Sequence, residues 1–424
     1  MADRKKSLHV VLTSYRGNMY CGGQGVYLVN LARALVSRGH RVRVISGPPY
    51  PDPVEGAEFE RLPGENFINQ PPRYLSGIDP FSVFSPLTFM EYGLARAGSN
   101  PEMLAASLRG FQRVQKLHAK DPVDVVHDNQ GLGYGLVFIR AMGIPVVATI
   151  HHPLQVDRRE DLKQMHGFFA RARRAIYYPL LMQKLVARRL DRLVTVSRFS
   201  GSLVADAYGV DPERLAVVPN GVDGSLFCTL EGVPREQGRL LFVGSTEDRK
   251  KGIIYLLRAL AGLPAEFRLV IVDGRRYPGR TFAADAVQRL GLESRVEFKD
   301  RISNHELVRE YNRAEMMVMP SLFEGFGLPA LEAMACATPL ICTTAGGLSE
   351  VADPECAVMV EPKSADAIMD AVISLDRDQA ARARMSKAAR EIALSRFSWE
   401  RAAEGVEKQY LLAIKNREPY AQQS

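Results

Sequence analysis

The sequence predicts an α/β protein made of two doubly wound, Rossmann-like domains that face a cleft. Three observations predict this fold class. First, 424 residues are too many for a single hydrophobic core. Second, strand-like apolar runs alternate with amphipathic helical segments along most of the chain. Third, the strand-like runs are continuously apolar, which is typical of a parallel sheet covered by helices on both faces.

The amino-terminal half holds the first alternation. Strand-like runs lie at 8–14, 42–46, 123–127, 145–151 and 192–197, and helical patterns lie at 26–39, 102–119, 131–143 and about 160–190. Residues 48–100 are rich in proline, glycine and aromatic residues without a clear period, so they predict a long insertion with short helices.

A segment rich in glycine and proline, 219–238, predicts the domain linker, and the alternation then restarts. Strand-like runs follow at 239–244, 267–274, 296–300, 316–321, 339–344 and 357–362, with helices over 252–262, 281–290, 304–313 and from about 328. The predicted domains are therefore 1–218 and 219–397. In such sheets, ligands bind at the carboxyl ends of the strands.

Composition narrows the class of protein. The formal net charge is +7, which favours phosphate-bearing partners. The five cysteines are scattered without a Cys-x-x-Cys pair, and they indicate free thiols in a reducing compartment. No apolar run reaches the roughly 18–20 residues that span a bilayer, and no nucleic-acid-binding motif is present. We expect a cytoplasmic protein, with peripheral contact at the inner face of the membrane as an open alternative.

The stretch EGFGLPALE places Glu324 before a glycine turn and Glu332 inside the helix that follows. Gly325 and Gly327 let a ligand approach the backbone, and the helix start favours an anion. A carboxylate on each side of an anion site could bind the hydroxyls of a sugar and of a ribose, which suits a sugar nucleotide. A plain strand–helix turn with a solvated Glu332 is the alternative.

Other candidates also follow predicted strands. Lys250 and Lys251 could neutralise a diphosphate, or they could begin a solvated helix. The turn CGGQG contains Gly22 and Gly23 but lacks the dinucleotide pattern, so it counts against NAD or FAD. His151 ends a first-domain strand, although a lone histidine is more often structural.

No cluster has the spacing of a metal site, and the one Asp-x-Asp, at 376–378, reads as a solvated helical segment. The basic stretch 158–192 contains Arg171, Arg173 and Arg174 among aromatic and aliphatic residues. It could dock on an anionic membrane surface, or it could be a solvated helix face over a packed stripe. Pro179 interrupts a continuous amphipathic face.

Together these motifs resemble the retaining glycosyltransferases of family 4, which have the two-domain GT-B architecture. The most specific part is the Glu-x7-Glu motif at 324–332, followed by AGGLSEV at 345–351. VPNGVD at 218–223, TVSRFS at 195–200 and RFSWE at 396–400 agree in order and spacing. The resemblance covers nearly the whole chain and is weakest over about 48–120.

The resemblance implies a role for each matching residue. Glu324 would hold the donor sugar and Glu332 the ribose, while Lys251, with Lys250, would neutralise the leaving diphosphate. His151 would lie beside the donor sugar. The diphosphate would also meet backbone groups and a loop position, namely Phe326, Gly327, Leu328, Gly22, Gly23 and Ser245. The resemblance implies no cofactor and no bound metal, and a final helix that crosses back to complete the first domain with residues 398–424.

Three positions depart from the family pattern. Ser245 stands where many members have arginine, so one phosphate contact is absent or comes from another residue such as Arg249. Serine also occurs there in members that glucosylate the lipopolysaccharide core. Ala337 and Asp300 stand where glycine is usual, and a left-handed residue other than glycine costs about 1 kcal/mol.

The resemblance therefore implies a retaining, metal-independent hexosyltransferase that uses a nucleoside-diphosphate sugar. A UDP-sugar is the first expected donor and GDP-mannose the second. The acceptor would be a hydroxyl of a glycan, a lipid-linked compound or a small molecule. A sugar-nucleotide epimerase or hydrolase, and a non-catalytic nucleotide-sugar-binding protein, are the alternatives.

Overall fold

The computed structural model describes residues 7–19, 23–64, 85–164, 167–168, 171, 177–277 and 279–417. By contacts, the chain divides into two compact units. The first unit holds the described residues of 1–196, 200–218 and 403–424, and the second unit holds 197–199 and 219–402. The domain ranges expected from the sequence stay a prediction, since a division by contacts does not test independent folding.

The first unit contains a seven-stranded sheet in which every neighbouring pair is parallel, in the order β3-β2-β1-β4-β5-β6-β7. Its strands are β1 His9–Ser14, β2 Arg41–Ser46, β3 Glu58–Arg61, β4 Val125–Asn129, β5 Val146–Ile150, β6 Arg192–Thr195 and β7 Leu215–Val217. The central strands β1, β4 and β5 are buried along their whole length, including the polar residues that end β1 and β4.

Helices connect these strands. They are α1 Gln24–Ser37, α2 Pro86–Arg96, α3 Glu102–His118, α4 Gly135–Ala141, α5 Leu154–Gln164, α6 Leu180–Ala187 and α7 Arg198–Tyr208. Of these, α1, α3 and α4 pack against the sheet. In α1, Leu28, Leu31 and Leu35 recur at helical spacing and are each about 1% exposed or less. The alternation of strand and helix predicted for this half is therefore present.

The second unit contains a six-stranded parallel sheet in the order β10-β9-β8-β11-β12-β13. Its strands are β8 Glu236–Val243, β9 Arg268–Asp273, β10 Val296–Asp300, β11 Ala314–Met319, β12 Leu340–Thr343 and β13 Val358–Val360. Its helices are α8 Ile253–Gly262, α9 Phe282–Arg289, α10 Asn304–Arg313, α11 Leu328–Ala335, α12 Leu348–Val351, α13 Ala365–Arg377 and α14 Gln379–Arg396. Two doubly wound parallel sheets confirm the predicted fold class.

The last helix, α15 (Trp399–Lys415), returns to the first unit, as predicted. Its Tyr410 hydroxyl lies 2.6 Å from Nδ1 of His127, which is on β4. Glu407 accepts a hydrogen bond from Nε of Arg38 at 2.7 Å. Both Tyr410 and His127 are almost completely buried, so this helix is part of the core of the first unit.

Two strands and one backbone conformation differ from the sequence-based expectations. β3 lies inside the insertion predicted at 48–100, and β7 lies where the sequence analysis predicts no strand. Ala337 is left-handed, with φ of 52°, as its position after α11 implies. After β10, however, the left-handed residue is Arg301, with φ of 51°, and not Asp300, which ends the strand.

No helix within the described ranges is long and apolar enough to cross a bilayer. Part of the basic stretch 158–192, including Arg173 and Arg174, lies outside the described residues. Within the described part, α5 and α6 cover 154–164 and 180–187, and Arg171 is exposed.

Candidate functional site

The second sheet has a topological switch point between β8 and β11. From β8 the chain moves to β9 on one side, and from β11 it moves to β12 on the other side. The loops that leave the carboxyl ends of these two adjacent strands therefore diverge, which is where open α/β sheets bind ligands. Lys251 follows β8 and Glu324 follows β11, so the two predicted residues meet at this point.

Lys251 and Glu324 form an ion pair at the switch point. Nζ of Lys251 donates to Oε2 of Glu324 at 2.7 Å, and the two side chains are 24% and 14% exposed. Burial by itself would lower the pKa of Lys251, but the charge and hydrogen bond of Glu324 outweigh it and leave that pKa raised. The lysine therefore remains charged across the working pH range.

Local backbone contacts fix the position of Lys251. A single turn of 3-10 helix, Arg249–Lys251, begins at Asp248, whose side chain accepts from the N–H of Lys250 at 3.0 Å. The carbonyl of Lys250 in turn accepts from the N–H of Leu322 at 2.7 Å, which joins this loop to the one after β11. Gly252 then turns with φ of 68°, where a Cβ would lie 1.9 Å from the carbonyl oxygen of Pro320.

The glycine turn presents backbone N–H groups at the start of α11. Gly327 precedes that helix with φ of 107° and ψ of 53°, and no side chain caps the helix start. The first N–H groups of α11 are therefore without intrahelical acceptors and suit an anion. Two hydrogen bonds to carbonyl oxygens fix the conformation of the turn. Glu324 O accepts from Gly347 N at 2.8 Å, and Gly325 O accepts from Ser197 Oγ at 2.6 Å.

Phe326 and Leu328, the neighbours of Gly327, contribute backbone rather than side-chain chemistry. The Phe326 side chain is only 5% exposed and packs edge-on against the Phe397 ring, with 6.0 Å between the ring centroids. This packing fixes the turn from which the helix begins. Leu328 is the first residue of α11, so its N–H is one of the uncapped donors.

Glu332 lies one turn into α11 and contacts a buried tyrosine. The Tyr311 hydroxyl donates to Oε2 of Glu332 at 2.8 Å. Part of the Glu332 surface reaches solvent, but the protein encloses the carboxyl group, and this burial raises its pKa to about 7. The alternative of a fully solvated Glu332 is therefore wrong.

Glu324 and Glu332 both contact the protein through one carboxyl oxygen, Oε2. Glu324 uses Oε2 for both protein contacts, with Lys251 at 2.7 Å and with Ser321 Oγ at 3.4 Å. Glu332 also uses Oε2 for its contact with Tyr311. In each case Oε1 has no hydrogen bond to the described residues, so each carboxyl group can accept from a ligand hydroxyl.

Ser245, Lys250 and Arg249, which the sequence also indicated, contact other residues than Glu324 and Glu332. The Ser245 hydroxyl lies 2.9 Å from that of Tyr277. Nζ of Lys250 lies 3.8 Å from Oδ2 of Asp248, so Lys250 does not share the position of Lys251. The guanidinium of Arg249 stacks over the Phe282 ring, 4.8 Å from its centroid.

The first unit has its own switch point, between β1 and β4. Gly23 begins α1 after β1 with φ of 69°, and Asn129 ends β4. Nδ2 of Asn129 donates to the carbonyl of Gln24 at 3.0 Å, which joins the two loops. Gly22 lies outside the described residues.

His151 follows β5 and is positioned by Asn129. Because the amide nitrogen of Asn129 donates to Gln24, its Oδ1 faces Nε2 of His151, at 2.8 Å. Nε2 therefore carries the proton, and Nδ1 is left as an acceptor. Burial, with the neighbouring histidines His152 and His127 as smaller causes, lowers the pKa of His151 to about 3. The ring is neutral at working pH.

Two other polar residues of β4, His127 and Asp128, contact protein groups. His127 is enclosed between the hydroxyls of Thr149 and Tyr410, at 2.8 and 2.6 Å. Asp128 accepts from Thr13 Oγ1 and from the N–H of Leu132, and so shapes the loop after β4.

Sequence reasoning missed Asn129, Ser321, Tyr311 and Tyr277 as partners of the predicted residues. Asn129 ends β4 and Ser321 follows β11, both at switch points. Their positions after predicted strands could have indicated that they belong to the site. Tyr311 and Tyr277 carry no such signal. Within the described ranges, no group of three or more His, Cys, Asp or Glu residues could hold a metal ion.

Two family models match the chain. Residues 21–226 match the model described as Glycosyltransferase Family 4, and residues 231–392 match the model described as Glycosyl transferases group 1. Between them they cover both units.

Curated relatives align over almost the full length. The chain is 36% identical to the MMP alpha-(1->4)-mannosyltransferase of Mycolicibacterium hassiacum, over 93% of this chain and 96% of that one. It is 28% identical to the D-inositol 3-phosphate glycosyltransferase of Xylanimonas cellulosilytica, over 97% and 96% of the two chains.

Among solved structures, the sucrose-phosphate synthase of Thermosynechococcus elongatus superposes with a TM-score of 0.74. The match covers 96% of this chain and 100% of that chain, at 22% identity. At that identity the likeness concerns the fold alone.

Proposed function

The chain belongs to glycosyltransferase family 4, and from this premise we propose that it moves a hexose from a nucleoside-diphosphate sugar to an acceptor hydroxyl with retention and without a metal ion. One observation carries the proposal. The Lys251–Glu324 ion pair lies at the switch point of the second sheet, beside an uncapped helix start and the enclosed carboxyl group of Glu332.

Each of these groups suits one part of a sugar nucleotide: the diphosphate, the sugar or the ribose. The uncapped N–H groups of α11 and the ammonium of Lys251 suit a diphosphate. Oε1 of Glu324 suits hydroxyls of the sugar, and Oε1 of Glu332 suits the two hydroxyls of a ribose. A carboxylate oxygen has two lone pairs, so it can accept from both hydroxyls of a diol.

The sugar of the donor is proposed to be mannose. The support is the 36% identical relative, which is described as a mannosyltransferase that forms an alpha-(1->4) linkage. GDP-mannose, the second expectation from the sequence, therefore becomes the first donor to test, with UDP-sugars as the comparison. Since sugar nucleotides such as GDP-mannose carry an α-linked sugar, an α-linked product corresponds to retention.

We propose front-face displacement, in which the acceptor hydroxyl approaches from the side that the diphosphate leaves. Neither glutamate then acts as a nucleophile. The ion pair with Lys251 makes the carboxylate of Glu324 less nucleophilic, so this residue is better suited to bind the sugar than to attack it. Catalysis would rest on orientation and on stabilising the negative charge of the leaving diphosphate, and Lys251 supplies the cation for the second task.

His151 and Gly23, on the first unit, are proposed to contribute to the same reaction, as the resemblance implies. The neutral ring of His151 offers an acceptor at Nδ1, which suits a hydroxyl group of the sugar or of the acceptor. Peripheral membrane contact through 158–192 stays a prediction, and co-sedimentation with anionic vesicles at low salt tests it. The same binding in a variant with Arg171, Arg173 and Arg174 changed to alanine would contradict it.

The proposal is tested by incubating the full chain with a panel of GDP- and UDP-sugars and with oligosaccharide acceptors. We expect Lys251→Met to lower turnover of the best donor by about 10²–10³-fold, the usual effect of removing one group that stabilises developing charge. Glu324→Gln should lower it by about 10²-fold, because it removes the carboxylate that is proposed to orient the sugar. Lys116→Met, an exposed lysine on α3, is the matched control and should keep full turnover. Chelation of metals should leave the rate unchanged.

Three results would contradict the proposal. The first is wild-type turnover in Lys251→Met or Glu324→Gln. The second is release of free sugar or an epimer at the rate of transfer, which would indicate the hydrolase or epimerase. The third is tight donor binding without turnover across all acceptors, which would indicate a binding protein. NMR of the product's anomeric proton tests retention.

A further inference from the structure

We propose that a cavity at the amino ends of the second sheet binds a phosphorylated sugar, separately from the candidate donor site. The cavity has a volume of about 790 Å³ and is lined by four cationic side chains, Arg235, Arg382, Lys387 and Arg390. We call it the basic cavity. None of these residues belongs to the motifs that indicated the donor site.

The basic cavity lies at the opposite edge of the sheet from the donor site. Arg235 directly precedes β8, and Pro339 directly precedes β12, whereas Lys251 and Glu324 follow the carboxyl ends of β8 and β11. Strand β11 has six residues, which corresponds to a length of roughly 20 Å. A ligand in the basic cavity therefore cannot be the donor bound at the switch point.

Backbone carbonyl groups hold the three guanidinium groups in place. Arg390 donates to the carbonyl of Ala335, at the end of α11, and Arg382 donates to that of Leu375. Arg235 donates to the carbonyls of Ala314 and Ala337. Each guanidinium has five N–H donors, and these contacts use one or two of them. The remaining donors are fixed in direction before any ligand arrives, which lowers the cost of ordering them.

The cations outnumber the carboxylates that face them. Arg382 lies 2.8 Å from Oε1 of Glu315, which is buried, while Lys387 is 4.0 Å from Glu391 and both of these are largely exposed. The pKa of Arg235 is lowered, first by burial and also by the charge of Arg382. An anion between these groups would relieve that repulsion.

The walls of the cavity favour a phosphorylated sugar over a bare ion. Guanidinium groups match phosphate oxygens in pairs. Ser386 and Gln379 add neutral hydrogen-bonding groups that suit sugar hydroxyls, and Pro339 and Leu394 offer apolar surface for a sugar ring. The volume falls in the range of small-molecule pockets and greatly exceeds that of a phosphate ion.

Calorimetric titration of the full chain with mannose 6-phosphate, at fixed low ionic strength, tests the proposal. We expect Lys387→Glu to weaken binding at least tenfold, because it removes a charged hydrogen-bond donor from the cavity and places a negative charge there. Arg384→Glu is the matched control, because Arg384 is exposed on the same helix, does not line the cavity and changes the charge equally. It should leave the dissociation constant within about twofold.

Further probes separate the basic cavity from the donor site. Lys251→Met should bind mannose 6-phosphate as the wild type does, while inorganic phosphate should bind more weakly and mannose should not bind. Loss of binding in Lys251→Met with retention in Lys387→Glu would assign the ligand to the donor site and overturn the proposal. Equal weakening by Arg384→Glu, equal binding of mannose, or no binding to the wild type would also overturn it.

Discussion

Replacing Glu332 with glutamine should change how the stability of the second unit depends on pH. The carboxyl group is enclosed beside Tyr311, and burial raises its pKa from an ordinary 4.5 to about 7. Folding therefore favours the protonated form. Glutamine has nearly the same shape and no proton to lose, so Glu332→Gln removes this dependence while preserving the packing.

The sign and size follow from the two pKa values. Below pH 4.5 the group is protonated in both the folded and unfolded states, and its contribution to stability is fully present. Between pH 4.5 and about 7 the unfolded state ionises while the folded state does not, so stability is lost. The shift corresponds to a loss of up to about 3 kcal/mol, at 1.36 kcal/mol per pH unit. Above about pH 7 this contribution no longer changes.

The single tryptophan provides a fluorescence probe in the same unit as Glu332. Trp399 is the only tryptophan of the chain, it is 6% exposed, and it lies within 219–402. Urea unfolding followed by its fluorescence, at pH 5 to 8, gives the free energy of unfolding of wild type and variant. Glu361→Gln, at an exposed position, is the matched control and should follow the wild type.

We expect the free energy of unfolding of Glu332→Gln to rise relative to wild type as pH increases, and then to level off near pH 7. Parallel profiles for the two proteins would refute the reasoning, because they would mean that Glu332 ionises as freely in the folded state as in the unfolded state. A bound nucleoside diphosphate should flatten the wild-type profile, since ribose hydroxyls would favour the ionised carboxylate.

Three further predictions follow from the structure. Gly327→Ala should destabilise the second unit by about 1–3 kcal/mol, because φ is 107° and the new Cβ would lie 2.5 Å from a leucine side chain. Gly93→Ala, in a helix with nothing within 4 Å of the new Cβ, should instead stabilise by about 0.5–1 kcal/mol, and thermal unfolding distinguishes the two signs. Tyr410→Phe should cost about 1–3 kcal/mol in urea unfolding, because it leaves buried His127 with one partner fewer, and an unchanged midpoint would contradict this. Because the pKa of His151 is about 3, its titration should not appear in the pH–rate profile above pH 5, whereas His151→Ala should lower turnover across that whole range.

Features of the fold and of the candidate site that depend on local sequence pattern were predicted correctly. Glu324, Gly327 and Glu332 lie within one short motif, and the buried strand before it and the helix after it have clear periods. The position of Lys251 after a buried strand was sufficient to place it at the same sheet edge. The ion pair between Lys251 and Glu324 then follows from the strand order, in which β8 and β11 are neighbours.

Features that depend on tertiary packing were not predictable. β3 has the sequence EFER, which lacks an apolar run because the strand lies at the edge of the sheet, and it is stabilised by an ion pair between Arg43 and Glu58. The raised pKa of Glu332 depends on burial by the packed chain, and it stays raised although the hydrogen bond from Tyr311, which lies on another helix 21 residues earlier, lowers it. The tautomer of His151 depends on a hydrogen bond from Asn129 to Gln24, and no spacing in the sequence indicates it.

The return of α15 to the first unit has a consequence for synthesis of the chain. The contact between His127 and Tyr410 joins residues 283 positions apart. Residues 219–402, which make up nearly all of the second unit, are translated between the two main parts of the first. At about 5–20 residues per second, this interval takes about 10–40 s. The first unit is therefore completed only after the second has been translated, and buried His127 lacks its contact with Tyr410 until α15 has left the ribosome.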